Sequence, residues 1–86
     1  MRILVVTIFE SGLKAPPPGL TDILWALTRP EEQVEHIHVA SAAGKAVITY
    51  FVLAPNDLAA LRMVSALTGR ALAHAPSLRG WRLSGA

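Results

Sequence analysis

The ten residues from Lys45 to Ala54, KAVITYFVLA, constrain this chain more than any other stretch. Apolar side chains fall on both parities of the run, which suits a central strand covered on both faces. Eighty-six residues make one domain, 1–86, with a single core, and its high surface-to-volume ratio leaves apolar side chains it cannot hide. Hydrophobic residues are 52% and charged residues 16%, a balance that excludes disorder and points to apolar surface meeting another subunit. An oligomer is therefore expected.

The remaining segments read in order. Arg2 to Phe9, RILVVTIF, is rich in β-branched residues and stops at the turn formers Glu10, Ser11 and Gly12, so it is a first strand. Ser11 to Gly19 cannot be helical, because consecutive prolines remove donors and hold preceding residues extended. Thr21 then reads as an N-cap and Asp22 as a first-turn acid, with Ile23, Leu24 and Leu27 forming an apolar stripe that Arg29 and Pro30 end. Val34 to Ser41 alternates, with Glu35, Ile37 and Val39 on one face and Val34, His36, His38 and Ala40 on the other. Ala42, Ala43 and Gly44 turn it into the Lys45 strand. Pro55, Asn56 and Asp57 supply turn, cap and first-turn acid for a second helix to about Leu72, with Leu58, Leu61, Val64, Leu67 and Ala71 at helical spacing opposite Arg62, Ser65 and Gly69. Leu78 to Leu83 reads as a short edge strand.

The order β-α-β-β-α-β predicts an α+β ferredoxin-like sandwich: a four-stranded antiparallel sheet of order 4-1-3-2 with both helices on one face. The two most apolar strands, the first and third, suit its centre, and the charges and histidines fall on the second and fourth, its edges. The open sheet face is expected to meet a second subunit.

Composition also narrows function. The chain has no cysteine, which excludes disulfides, zinc-thiolate sites and thiol catalysis and suggests a cytoplasmic setting. No apolar run reaches the roughly 18 to 20 residues of a membrane span, so no membrane partner is expected. The start MRILVVTIFE lacks a small-residue cleavage site and closes on Glu10, so it reads as a strand and not as a signal peptide. Eight scattered basic residues against six acidic ones give a net charge of +2, a weak basis for nucleic acid. Tyr50 and Phe51 sit where an RNA-recognition domain places stacking aromatics, but Lys45-Ala46-Val47-Ile48 replaces its glycine-aromatic pattern. No nucleic-acid partner is expected.

Two groups of residues carry chemistry. Pro16 to Leu27, PPPGLTDILWAL, connects the first strand to the first helix, where Gly19 permits close backbone approach and the first helical amides point outward toward a carboxylate or phosphate. The alternative is a stiff loop that starts the helix. His36 and His38 lie two apart, so their rings share a face. Such a pair can join a third metal ligand, act as acid and base, or simply decorate an edge strand or dimer contact. His74 follows the second helix and Glu35 points to the other face, so no metal ligand set is expected. Thr7 and Thr49 read as strand formers, and Trp25 and Trp81 as packing residues.

Pro18-Gly19-Leu20-Thr21-Asp22-Ile23, followed by Leu27, resembles the "PG-L-x-x-I-x-x-x-L" signature that opens the first helix of ACT domains. The similarity continues through VEHIHVA, GKAVITYFVL and the leucine-spaced second helix. Where that family has an acidic residue two positions before its Pro-Gly, this chain has Pro16, and the asparagine before the second-strand isoleucine is His36. The resemblance implies a stand-alone regulatory domain without catalytic activity or cofactor. It implies a small ligand, an amino acid or similar carboxylate, bound at a homodimer interface by Pro18, Gly19, Leu20 and Thr21, with His36 and His38 as walls. A partner protein would read the liganded state. Two readings stand beside it: a cofactor-free enzyme of the dimeric α+β barrel type using His36 and His38 as acid and base, and a ligand-free protein interaction module.

Overall fold

The computed structural model describes residues 1–84. Strands β1 (Arg2–Phe9), β2 (Val34–Ala42), β3 (Lys45–Val52) and β4 (Arg82–Leu83) and helices α1 (Leu20–Leu27) and α2 (Asp57–His74) follow one another as β1-α1-β2-β3-α2-β4. Single 3-10 turns lie at Pro30–Glu32 and Pro76–Leu78. Every strand pair is antiparallel and the sheet runs β2-β3-β1-β4, which counted from the β4 edge is 4-1-3-2. The two strands apolar on both parities, β1 and β3, pair along their full lengths at the centre.

Alternation divides the sheet into two faces. Val6 and Ile8 of β1, Ile37 of β2 and Ala46, Ile48, Tyr50 and Val52 of β3 are buried beneath the helices, with Leu20 and Leu24 of α1 and Ala60, Val64, Leu67 and Ala71 of α2. Tyr50 carries the core's polar pair. Thr68 donates its hydroxyl proton to Val64 O at 2.7 Å, so the Tyr50 hydroxyl, 2.7 Å from Thr68 Oγ1, is the donor in that contact. Burial pushes the Tyr50 phenol up to about 12; Thr68 pulls against this and the Glu32 carboxylate adds to it.

Several boundaries depart from expectation. Helix α1 begins at Leu20 on Gly19, whose φ of 81° is left-handed, and Thr21 is not its N-cap. The chain leaves the prolines extended and reverses at the one residue there that takes positive φ without strain. In β2 a bulge between Val34 and His36 sets Val34 opposite Val52, on the core face with Ile37 and apart from His36 and His38. Leu58 and Leu61 are exposed, because the stripe that meets the sheet is Ala60, Val64, Leu67, Thr68 and Ala71. Both leucines lie off that stripe around the helix, on its solvent side. The last strand shrinks to Arg82–Leu83, since the turn at Pro76–Leu78 and Gly80 at φ 87° carry Leu78 and Trp81 into the core first. Asn56 does cap α2, its Oδ1 accepting Ala59 N–H at 2.8 Å.

Candidate functional site

The loop from β1 to α1 is built around Glu10. One carboxylate oxygen accepts Gly12 N–H at 2.7 Å and the other Lys14 N–H at 2.9 Å, and these two bonds hold its pKa below the ordinary carboxylate value. The loop then docks on the β2–β3 hairpin: Gly44 N–H donates to Lys14 O at 2.7 Å and Glu10 N–H to Gly44 O at 2.9 Å. Downstream, Pro16 is buried, Pro18 and Gly19 are exposed, Leu20 enters the core and Thr21 is half-buried. No side chain caps α1, and a Cβ placed on Gly19 finds only Asp22 Oδ2, at 4.0 Å. The helix start is thus open to solvent, with the Asp22 carboxylate at the same end opposing an anion there.

His36 and His38 lie elsewhere. Their register partners are Phe51 and Thr49, on the face opposite the helices. The six residues expected to form one pocket therefore divide, with Leu20 under the helices and both imidazoles on the open side of the sheet. His36 packs against Phe51 with ring centroids 5.5 Å apart at 56°. Neither imidazole makes a side-chain hydrogen bond among the described residues, and no group of three or more His, Asp or Glu there is placed to hold a metal ion.

The open face of the sheet is covered by neither helix. Its rows, read across strands, are Ile3–Phe51–His36, Val5–Thr49–His38 and Thr7–Val47–Ala40. Ile3 and Val5 are each 59% exposed, and no acidic side chain stands in these rows. At the hairpin end, Phe9, 44% exposed, lies between Lys45 of β3 and Arg82 of β4. That row escaped the sequence reading because its members are far apart in the chain and meet only through register.

A second feature had a local signal. Glu32 is buried, and its Oε1 accepts Arg29 N–H at 2.7 Å and a hydrogen bond from Arg70 Nη2. Arg70 also donates twice to Leu27 O, from Nη2 at 2.9 Å and Nε at 3.3 Å. This clamp ties the end of α1 to α2, and the Arg-Pro-Glu-Glu start of the 3-10 turn is its trace in the sequence. No protein-family model, curated protein or solved structure matches this chain.

Proposed function

We propose that this chain is a non-catalytic binding module of ferredoxin-like build that works as a homodimer, joined through the open face of its sheet. The observation that carries the reading is the uncovered apolar centre of that face, Ile3, Val5, Val47 and Phe51, on two strands with no charged side chain between them. The three rows from Ile3 to Thr7, across β2, β3 and β1, present roughly 14 by 20 Å, or about 300 Å² of footprint per copy, with the Phe9–Lys45–Arg82 row left outside. Corrugation raises the accessible area above this, toward the lower end of specific interfaces. A modest, concentration-dependent dimer is the expected result. The alternative of pairing side by side along β2 meets the Glu35 bulge, which breaks the ladder at that end. Sedimentation velocity over a concentration series tests the reading: the parent chain forms dimers, and Val5→Glu, which places a carboxylate mid-face, stays monomeric and folded. A parent chain monomeric throughout the series sinks it.

The open helix start favours a second reading, the ACT-like one. A small carboxylate, an amino acid by resemblance, would meet Pro18, Gly19, Leu20 and Thr21 and shift the pair of subunits through linkage, for a partner protein to read. His36 and His38 then belong to the dimer face and not to this pocket. The supporting observation is Gly19 in its left-handed conformation, whose Cβ direction meets no neighbour but the Asp22 carboxylate, at 4.0 Å. Melting temperature against an amino-acid panel tests it, since a ligand that binds the folded state raises it. A shift with one amino acid that is lost in Gly19→Trp supports this reading, and silence across the panel removes it.

A further inference from the structure

The hairpin end of the sheet holds a cleft of about 630 Å³, within the range of small-molecule sites. Phe9 and Leu13 give it apolar side chains, and Lys45 and Arg82 flank Phe9 as its direct neighbours on β3 and β4. Strand spacing puts the two cationic residues about 10 Å apart with the aromatic ring midway. Their stems are long enough for both heads to close on one group above that ring. Neither cation takes part in the ion pairs found among the described residues, which are Arg2 with Asp57 and Arg70 with Glu32. Among the described residues the one carboxylate lining the cleft is Glu10, whose two oxygens are engaged by its own loop, so the two flanking cations outnumber it without being neutralised by it.

We propose that this cleft binds a small organic carboxylate with an apolar body, the carboxylate held between Lys45 and Arg82 and the body lying on Phe9 and Leu13. An exposed ring set between two cations matches a ligand with one negative end and one apolar end. A bare inorganic anion would leave the lining unused, and a neutral apolar molecule would leave the cations unused. The site is complete in one copy of the chain. It does not use the Pro-Gly loop, and its Phe9 row stands at the hairpin end of the open face, outside the Ile3, Val5, Val47 and Phe51 centre on which the dimer reading rests.

The test is calorimetric titration of the full chain with 3-phenylpropionate, its uncharged amide and inorganic phosphate, repeated on Lys45→Gln/Arg82→Gln and on Gly19→Trp. Both glutamines stand at exposed strand positions, so an unchanged melting temperature certifies the fold. The expected pattern is binding of the carboxylate, at least about tenfold weaker binding of the amide and of phosphate, and a similar loss in the double variant, the scale of one charge-assisted hydrogen bond. Binding in Gly19→Trp stays at the parent value, which separates this site from the helix start. No binding of 3-phenylpropionate overturns the proposal, as does equal affinity for the amide or for phosphate, full retention in the double variant, or loss in Gly19→Trp.

Discussion

Alkaline titration interrogates the core through a single group, because Tyr50 is the only tyrosine in the chain. Its phenol lies fully buried and is raised from 10 to about 12, chiefly by burial, with the Glu32 carboxylate adding and Thr68 opposing. Thr68 can donate to a phenolate only by turning its proton away from Val64 O. A folded pKa above the unfolded one means that the fold favours the neutral phenol. The associated stability is whole below pH 10 and drains as pH rises toward about 12. Two units correspond to roughly 3 kcal/mol. For a chain of this length, total stability is of the order of 4 to 13 kcal/mol, so the loss is large enough to unfold a weak variant. Phenolate absorbance and circular dichroism should be followed together against pH. Absorbance is expected to stay flat through pH 10 while the dichroism stays native, and then to rise as the fold is lost. Tyr50→Phe isolates this contribution from lysine titration: it costs about 1 kcal/mol at neutral pH and blunts the alkaline loss. Phenolate appearing with a midpoint near 10 in a protein still native by dichroism would refute the reasoning.

Two further outcomes bear on the elements that frame the sites. Arg70→Met leaves the buried Glu32 carboxylate with only Arg29 N–H and removes both bonds to Leu27 O; a loss of about 3 kcal/mol is expected, or roughly 12 to 24 °C in melting temperature. Glu32→Gln, which keeps an acceptor for Arg29, should fall by clearly less, and equal losses would show that charge is not what the clamp supplies. Gly44→Ala sets a Cβ 2.8 Å from Glu10 O and 3.0 Å from Leu13 Cα, at φ 69°, and is expected to cost at least about 1 to 3 kcal/mol. Gly69→Ala, inside α2 with nothing within 4 Å, should instead stabilise by about 1 kcal/mol; denaturant midpoints for the pair decide, and a neutral Gly44→Ala would dissolve the close approach.

The element order was legible because β1, β3 and α2 each carry a long enough pattern to fix their type. The Asn56 cap was legible too, since its partner lies three residues away. What escaped depends on backbone angles or on register. Thr21 looks like a cap until the prolines and Gly19 choose the conformation that starts the helix one residue after the glycine. Leu58 and Leu61 continue an i+3 series with Val64 and Leu67, but at about 100° per residue such a series drifts about 60° per step, which carries them off the stripe of Ala60, Val64, Leu67 and Ala71. The candidate surfaces divide in the same way. The open face followed from parity, whereas the Lys45–Phe9–Arg82 row exists only once three distant strands are aligned.

The bulge at Glu35 sets a rule for length variation in this strand. Because Glu35 is the extra residue between the Val34–Val52 and His36–Phe51 pairs, deleting it closes the ladder into a regular one and leaves every other side chain on its present face. Deleting any one residue from Ile37 to Ser41 instead reverses the sides of part of the strand, sending imidazoles toward the core or core residues toward solvent. Among relatives that keep this sheet, gaps in β2 should therefore gather at Glu35, so that the position of a gap reports whether the two faces have been preserved.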